Sequence, residues 1–494
     1  MVRLLFLLAL GVLGSLGGRA QELPYFSPDT TQRHELAVAQ RNAVKARLLV
    51  PKTGSGEYRD HYRRVVAEAA DDVYNSIRYA ALLDPVLEPY VQGVFARILK
   101  ANPQLPATTR LVLTRNPEPN AHAAGNSAVL LNLGLLPRLE NESQLAYILC
   151  HELAHLACRH LETGLQERLL ALHSKQMKQE FRRIINSEYN ISSKLKDLAL
   201  GFSLNTNYHH RRFEKQADSL GYVLLARTSY EAPQAYRTLQ LLDGIDRPEN
   251  LTPLPLGTYF SCADFPRPFE VLLIKANSIF TVAVPKSTLE TTDTLKSHPD
   301  CGKRMHYLQV LAGGRVAEGP QPASPPEFER IRRLSRQELV QSWFDNECYD
   351  HALFEALQLL GQDPGNGYLR NIVQLSLFEL RQHLQNHTFA EVVSTISTGQ
   401  AANFNALLRA LNDLQFDDFR GLSACFAQAG GAAAPAAPTN EFALAAHYAS
   451  TVLAAEPQAS AALALRADYE RQYPQGRFIK LLFPAPKPKG KGRH

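Results

Sequence analysis

The segment covering residues 141–156 constrains the fold most, because its apolar residues recur at the spacing of one long helix. Asn141 and Gln144 stand at its start as a capping-box pair, a typical helix-start pattern. His151 and His155 are four residues apart within it, so both imidazoles fall on one face and can converge on one metal ion. The alternative is an exposed helix that carries two ordinary histidines.

The complete pattern is H-E-x-x-H, in which Glu152 is placed to reach a water on the metal. Zinc in a hydrolytic site usually takes three protein ligands and one water, so a third ligand must come from elsewhere. Glu214 is the candidate, because Ala217 and Gly221 on its helical stretch are thin enough for close packing. Asp218 lies one turn further and could accept the outer N–H of a zinc-bound histidine. The alternative for this pair of acids is a solvated helix face.

Further elements accompany this motif, in chain order, between residues 80 and 310. They are Asn120-Ala121-His122-Ala123, Gly134-Leu135-Leu136, His151–His155 with Arg159-His160, the set Arg211, Glu214, Ala217 and Asp218, and His298-Pro299 with Arg304. In these elements the chain resembles the gluzincin zinc metallopeptidases of the CAAX prenyl protease and HtpX type. It resembles in particular their soluble periplasmic branch, which includes the β-barrel-assembly-enhancing protease with its tetratricopeptide-like C-terminal region.

The resemblance implies a zinc site in which His151, His155 and Glu214 hold one Zn²⁺ per chain. Glu152 would take a proton from the attacking water, whose pKa the metal lowers, and pass it to the leaving amine. Inactive members of such a family should lose Glu152 or a ligand, and this chain retains all four residues. The resemblance therefore implies an active endopeptidase.

The resemblance also implies roles for residues around the metal. Asn120, Ala121 and Ala123 would bind substrate on an edge strand, to which an extended peptide adds by main-chain hydrogen bonds. His298 would be a catalytic residue that stabilises the oxyanion, or a regulatory plug that covers the metal. The alternative for His298 is an ordinary histidine of a surface loop. Arg304 would support that loop from behind the ligands.

The predicted fold class is mainly α with a small β-sheet, an α+β zincin-like metalloprotease domain followed by an α-helical tetratricopeptide-like region. Residues 31–100 are helical in pattern, including a helix over 86–99, while 110–114 and 127–133 are typical of short strands. Proline, glycine and alanine clusters separate the parts of the chain. The predicted parts are a signal peptide (1–20), a zinc metallopeptidase domain (21–314), a Pro-rich linker (315–326), a helical tetratricopeptide-like region (327–429), an Ala/Pro/Gly linker (430–440), a helical hairpin (441–478) and a basic disordered tail (479–494).

The first 20 residues have the pattern of an export signal. Arg3 precedes an apolar run over residues 4–16, and the small residues Gly18 and Ala20 predict cleavage before Gln21. The alternative is a retained anchor, but this run is short for a bilayer span and no longer apolar run follows. We therefore expect an exported, periplasmic protein, or alternatively a secreted one, with no transmembrane segment in the mature chain.

The net charge of +5 is concentrated at the two ends of the chain. Arg3 and Arg19 lie in the signal segment, and four further cations lie among the last eight residues, so residues 21–486 are close to neutral. A neutral body gives no electrostatic reason to expect a nucleic acid as a ligand. We therefore expect no nucleic-acid partner.

Two segments of the C-terminal region share one spacing of small and apolar residues. Ala352, Ala356, Leu360 and Pro364 recur, at an offset of 93 residues, as Ala445, Ala449, Leu453 and Pro457. Small residues let paired helices approach closely, as in a degenerate tetratricopeptide hairpin, although 93 is no multiple of the strict 34-residue period. The region is therefore either a surface that recruits a client or partner, or a helical cap that only stabilises the protease.

The six cysteines are too few for a disulfide framework in a chain of 494 residues. Export would permit a bridge, and Cys262 with Cys301 is the first pair to test. The sequence does not decide whether any disulfide forms.

The combined prediction is an exported zinc-dependent endopeptidase that acts on unfolded or misassembled proteins in envelope quality control. The outer-membrane assembly machinery is a candidate partner of the helical C-terminal region. One alternative is a chaperone-like client-binding protein whose zinc site is occluded or rarely active. A second is a helical-repeat scaffold on an inert protease fold.

Overall fold

The computed structural model describes residues 23–185, 211–245, 254–266, 301–314, 324–397, 400–429, 438–455 and 459–483. These residues are mostly helical and contain one three-stranded sheet, which confirms the predicted fold class. None of the described helices is long and apolar enough to span a bilayer. The predictions that lie outside the described residues are the signal peptide, most of both linkers, most of the basic tail, and His298.

Three helices precede the sheet, as predicted for residues 31–100. Asp84 starts the third of them, because its side chain accepts the backbone N–H groups of Val86 and Leu87, which no helical carbonyl can reach. This helix begins and ends within two residues of the predicted range 86–99. The three helices are α1 (Thr31–Arg47), α2 (Gly56–Ala80) and α3 (Leu87–Ala101).

The sheet has the order β1-β3-β2 and mixes both strand directions. The strands are β1 (Arg110–Thr114), β2 (Ala121–Ala124) and β3 (Ala128–Asn132). The central strand β3 is buried along its whole length and pairs in parallel with β1 and antiparallel with β2. Both strands predicted by hydrophobic pattern are confirmed within one residue, and the strand expected from the family resemblance is β2, at the edge of this sheet.

The H-E-x-x-H motif lies on helix α4 (Glu142–Ala157), which is almost entirely buried. Asn141 caps it as predicted, accepting the backbone N–H of Gln144, while the Gln144 side chain accepts the N–H of Glu140. Two residues after the end of this helix stands Arg159, whose φ of 54° lies in the left-handed region and turns the chain sharply. This turn starts helix α5 (His160–Leu172) directly beside the motif.

Four further described helices belong to the protease region or lie beside it: α6 (Lys175–Ile185), α7 (residues 211–226), α8 (Gln234–Gly244) and α10 (Cys301–Leu311). Gly221 lets α7 approach α4 closely, since a Cβ at this position would stand 3.1 Å from the His151 Cα. Ala217, one turn earlier, is fully buried. The predicted close packing of α7 on the metal-binding helix is therefore confirmed.

The C-terminal region is a stack of helices around its own apolar core. Its helices are α9 (Leu256–Phe260), α11 (Pro326–Asp345), α12 (Tyr349–Leu360), α13 (Gly367–Gln385), α14 (Phe389–Val392), α15 (Ala402–Asn412), α16 (Asp418–Gln428), α17 (Glu441–Ala454), α18 (Ser460–Gln472) and α19 (Ile479–Leu482). The small residues of the predicted hairpins, among them Ala352, Ala356, Ala445 and Ala449, are fully buried. They allow close helix packing, while the tetratricopeptide assignment stays a prediction.

Helix α11 joins the two regions, because it contributes to both cores. Phe328 and Ile331 near its start lie in the core of the protease region, whereas Val340 and Phe344 lie in that of the helical region. Arg115, directly after β1, adds an ion pair to this junction, with its Nη1 atom 2.7 Å from a carboxylate oxygen of Asp345 at the end of α11. The two regions are thus packed together through a shared helix.

The candidate pair of Cys262 with Cys301, which the sequence left undecided, does not form a disulfide. Cys262 forms a disulfide with Cys425 of α16, and their Cα atoms are 5.4 Å apart. The reason is that the segment around α9 packs on the helical region, where Phe265 occupies space that a side chain at Gly421 would take. Cys301 is buried in the core of the protease region instead. Residues 254–266 therefore pack with the C-terminal helices, although they precede α10 in the chain.

Candidate metal centre

Three side chains converge at the centre of the protease region, as the sequence predicted. The Nε2 atoms of His151 and His155 are 3.1 Å apart, and each faces one carboxylate oxygen of Glu214, at 3.5 and 3.3 Å. Two ligands of a tetrahedral zinc ion, each about 2.1 Å from it, stand about 3.4 Å apart. The three donor atoms therefore have the spacing that zinc requires, and among the described residues they form the one group of this kind.

The outer nitrogen of His151 faces a second carboxylate. His151 Nδ1 lies 3.1 Å from Oδ1 of Asp218, which is fully buried one helical turn beyond Glu214. The Tyr147 hydroxyl donates a hydrogen bond to the same carboxylate at 3.0 Å. A proton on Nδ1 leaves Nε2 as the free lone pair, so Asp218 fixes the tautomer that a metal ligand needs.

Arg304 on α10 connects both carboxylates. Its guanidinium donates to the two oxygens of Asp218 at 2.7 and 2.8 Å, and its Nη1 atom lies 3.0 Å from Glu214. The arginine is itself buried, so its charge is balanced by this pair of acids. Arg304 thus contacts the ligand Glu214 directly and holds Asp218, the carboxylate that faces the ligand His151.

The electrostatics of the group favour a cation at its centre. Burial alone would lower the pKa of His151, but the carboxylates of Asp218 and Glu214 raise it to about 10. Burial would raise the pKa of Asp218, yet Arg304 and His151 hold it at about 2. Histidine contacts likewise keep the pKa of Glu214 well below its usual range. Two ionised carboxylates around facing imidazoles attract positive charge, which a divalent metal supplies.

Beside His155 lie two residues to which the sequence alone assigned no role, His160 and Gln216. His160 Nδ1 lies 3.0 Å from His155 Nδ1, and His160 Nε2 lies 3.0 Å from the amide oxygen of Gln216. The His160 ring stacks on Phe213 with centroids 4.5 Å apart. Burial, together with the neighbouring His155, lowers the pKa of His160 to about 4. A neutral His160 can therefore accept from His155 and donate to Gln216, which leaves the Nε2 atom of His155 free for a metal.

A sequence signal for His160 existed, since Arg159-His160 follows the motif in the family pattern, but no signal pointed to Gln216. Its role depends on how α7 lies against the turn between α4 and α5. The predicted late residue His298 is outside the described residues. Its partner in the sequence pattern, Arg304, lies at the metal ligands as described above.

Glu152 is buried beside His151 and borders a small cavity. The cavity also touches Ala121 of the edge strand β2, so the motif helix and that strand lie on either side of it. This arrangement places a carboxylate, the metal ligand His151 and a residue of the edge strand around one space. A water held there would have a proton acceptor next to it.

The strand β2 pairs with β3 only, among the described residues. The Asn120 carbonyl accepts the N–H of Asn132, so by the alternation of an antiparallel pair the backbone groups of Ala121 and Ala123 point away from β3. The Asn120 side chain accepts the N–H of Ala121. The carbonyl of Ala121 and both backbone groups of Ala123 are thereby directed to the outer edge.

The comparisons with known proteins agree with this geometry. The model of peptidase family M48 matches residues 85–312, which contain all three candidate ligands. Residues 85–312 are thus similar to peptidase family M48. Members of this family are metallopeptidases, so the group of His151, His155 and Glu214 is the metal group of an M48 metalloendopeptidase.

Three relatives show how far the similarity extends. The mitochondrial metalloendopeptidase OMA1 of Schizosaccharomyces pombe is 27% identical over 187 residues, which are 36% of this chain and 49% of the relative. The β-barrel assembly-enhancing protease of Yersinia pestis is 23% identical over 321 residues, 62% of this chain and 60% of the relative. A protease HtpX homologue of Pelotomaculum thermopropionicum is 42% identical over 86 residues, 16% of this chain and 30% of the relative. The chain spans about half the length of the first of these relatives.

Proposed function

We propose that this M48 chain is an exported zinc-dependent endopeptidase that cleaves unfolded or misassembled proteins in the cell envelope. The observation that carries the proposal is the complete donor set, in which His151 and His155 each have a partner for the outer nitrogen and Glu214 completes the metal group. Such orientation of ligands by hydrogen-bond partners is typical of zinc sites. Glu152 is in place beside them.

Zinc held by these ligands would lower the pKa of a bound water and polarise the scissile carbonyl. Glu152 takes the proton of the attacking water and returns it to the leaving amine, a role for which its position beside His151 suits it. Asp218 and Arg304 keep His151 and Glu214 oriented throughout. His298 is our proposed residue for stabilising the oxyanion or covering the metal.

The substrate would bind as an extended strand along the outer edge of β2. The outward carbonyl of Ala121 and the outward N–H and carbonyl of Ala123 supply main-chain hydrogen bonds, and Asn120 fixes the start of the strand. Recognition through the main chain suits unfolded proteins, because it requires an extended segment rather than one particular sequence. It would exclude segments that are already folded.

Two observations support export. The predicted signal peptide is one, and the Cys262–Cys425 disulfide is the other, since disulfides persist mainly in oxidising compartments such as the periplasm. The relative from Yersinia pestis is named a β-barrel assembly-enhancing protease, and its similarity covers 62% of this chain. We propose by analogy that the helical C-terminal region contacts outer-membrane assembly machinery and that the protein works in the periplasm.

The test compares the purified chain with its Glu152→Gln variant. Both should bind about one zinc ion per chain, while only the unsubstituted protein should cleave casein or another unfolded protein, because glutamine cannot accept the proton. A matched control is Glu68→Gln on the exposed side of α2, which should cleave normally. Equal cleavage by the protein and its Glu152 variant, or no bound zinc, would contradict the mechanism. Zinc binding without cleavage in either protein would favour the chaperone-like alternative.

A further inference from the structure

A cavity of about 460 Å³ lies at the junction of the two regions and shares no residue with the metal group. Its walls come from residues 25–33, the chain directly after α2, the end of β1, the turn between α11 and α12, and the residues around α19. Sites for small ligands usually have volumes of about 300–1,000 Å³, so this cavity has a suitable size. The proposed peptidase reaction does not use it.

Arg477, which precedes α19, lines this cavity with part of its guanidinium unpartnered. The side chain is only 4% exposed, yet its Nε and Nη1 atoms have no hydrogen-bond partner among the described residues. The Nη2 atom donates to the Tyr25 carbonyl at 2.6 Å and lies 3.8 Å from Asp345, which holds the side chain in place. Unpaired N–H groups of a buried cation are costly, and an anion beside them would remove that cost.

Arg33 of α1 lines the same cavity and has cations rather than acids around it. Burial and the charges of Arg115 and Arg78 lower the pKa of Arg33, and no carboxylate of the described residues forms an ion pair with it. Arg78, in the last turn of α2, is likewise half-buried. Like charges held together in a partly buried place repel one another, so a negative charge between them is stabilising.

Three acids also line the cavity, but they stand nearer to the solvent than the arginines. Asp29, Asp345 and Glu347 are exposed, whereas the arginines in the wall are half-buried. Asp345 is already paired with Arg115 at 2.7 Å, and Asp29 accepts the backbone N–H of Thr31 at 2.8 Å. These acids repel a doubly charged phosphate more strongly than a single carboxylate. The charges therefore favour an anion with one negative charge.

Much of the remaining wall is apolar or aromatic. Leu82, Phe344 and Phe478 are buried there, and Phe26 is 41% exposed. Phe26 packs on Arg477, whose guanidinium carbon lies 4.9 Å from the centroid of the ring, so an apolar surface lies directly beside a cationic one. A ligand that carries its carboxylate next to an apolar group can contact both surfaces.

We propose that this cavity binds a carboxylate carried on an apolar or aromatic group, as in the C-terminal residue of a polypeptide. Arg33 and Arg477 bind the carboxylate, and the aromatic wall contacts the side chain beside it. The rest of the polypeptide leaves through the mouth of the cavity. Free organic acids have the same chemistry, so the two sources have to be compared directly. Binding at this site does not depend on peptide cleavage.

The experiment measures fluorescence anisotropy with a labelled peptide that ends in phenylalanine, either as the free acid or as the C-terminal amide. The zinc-loaded protein carries Glu152→Gln, so that the peptide is not cleaved. The free acid should bind at least about tenfold more tightly, because the amide lacks the charge. Competition by 3-phenylpropanoate as strong as that by the unlabelled peptide would identify free acids as the source, and weaker competition would identify the polypeptide. Competition by inorganic phosphate alone would overturn the ligand class.

Arg33→Gln should weaken binding of the free acid roughly 10- to 100-fold and leave binding of the amide unchanged. Without ligand it should not lower the free energy of unfolding, because Arg33 has no ion pair to lose, whereas a merely structural role would lower it. The matched control is Lys480→Gln, an exposed cation beside Leu481 that does not itself line the cavity, and it should bind like the parent. Equal binding of acid and amide, or unchanged binding in Arg33→Gln, would overturn the proposal without affecting the proposed peptidase.

Discussion

Asp218 of the metal centre and Glu379 of the helical region are both buried carboxylates, yet their pKa values are shifted in opposite directions. Arg304 and His151 hold the pKa of Asp218 at about 2. Burial raises the pKa of Glu379 to about 8, and the neighbouring Glu347 adds to the rise. Burial raises the pKa of both carboxylates, and the charges of the neighbouring groups decide whether the final pKa is low or high. At the metal centre the buried Asp218 is ionised because Arg304 and His151 contact it, whereas among the described residues no cation lowers the pKa of Glu379.

Hydrogen bonds between buried polar groups can be compared in the same way. At the metal centre they form one connected set, from Tyr147 through Asp218 and Arg304 to Glu214. In the helical region one example is a single pair, in which the Ser423 hydroxyl donates to the Gln374 amide oxygen. Local pairs stabilise helix packing without creating a centre of charge. The comparison indicates that the first region is built around a reaction and the second around its own core.

Removing Arg304 should give the largest effect. Arg304→Met keeps much of the packing volume but leaves Asp218 and Glu214 buried without their counter-charge, so we expect a loss of about 3–5 kcal/mol in the free energy of unfolding. Zinc affinity should also fall, because the ligand and its support lose their orientation. Urea unfolding and a competitive zinc titration measure both effects. Arg227→Met, at an exposed position directly after α7, is the control and should be neutral.

An unfolding free energy within 1 kcal/mol of the parent would show that Arg304 does not compensate the two acids. The conservative variant Arg304→Lys separates charge from geometry. It should restore part of the stability but little of the zinc affinity, since a single ammonium group cannot reproduce the paired contacts of the guanidinium.

Replacing Glu379 should raise the free energy of unfolding at pH 7, by less than Arg304→Met lowers it. The folded state holds a proton on this residue that the unfolded state releases above pH ~4.3, so the stabilising effect of that proton is complete below this pH and is lost as the pH rises to about 8. At pH 7 the cost is on the order of 3 kcal/mol, and Glu379→Gln should remove it together with the pH dependence.

Trp343 is the single tryptophan of the chain and packs against the core of the helical region, so its fluorescence during urea unfolding measures this effect. Unfolding midpoints should decline between pH 5 and 8 in the parent and stay level in the Glu379→Gln variant. The control is Glu391→Gln at an exposed position, which should decline like the parent. A decline of equal slope in the Glu379 variant would assign the pH dependence to other groups.

The two regions also differ in how much of them could be predicted from the sequence. His151 and His155 were predicted because helical periodicity fixes which residues share a face, and Glu214 was a candidate from the small residues on its helix and from the family resemblance. Contacts between distant segments were harder. The reach of Arg304 to Glu214 depends on where α10 packs, and no local pattern encodes that.

The cysteine pairing shows the same limit. Cys262 pairs with Cys425 because the segment around α9 leaves the protease region and packs on α16. The sequence offered Cys301 only as the first partner to test and did not decide the pairing. The helix over 86–99 and the strands over 110–114 and 127–133 were predicted well, since they depend on nearby residues, whereas residues 479–482 of the predicted disordered tail form a short helix. In both cases the missing information was how segments distant in sequence pack against each other.

The two ligand histidines of the metal centre differ in the charge of their partners. The outer nitrogen of His151 faces the ionised Asp218, whereas that of His155 faces the neutral ring of His160. A neutral partner contributes less than a charged one, so His160→Phe should weaken zinc binding by about tenfold, at the lower end of the range for such partners. The phenylalanine ring retains the stacking on Phe213, so folding should be preserved.

Competitive titration gives the affinity, and the absorption spectrum of the cobalt-substituted protein reports whether the geometry around His155 has changed. Asp218→Asn is the matched comparison and should weaken zinc binding more than His160→Phe, because it replaces the charged partner. His160→Gln should recover part of the affinity, since its amide oxygen can accept the N–H of His155. Unchanged affinity and an unchanged cobalt spectrum in His160→Phe would show that His155 needs no partner. The orientation of the ligands would then depend on the Asp218 side of the centre alone.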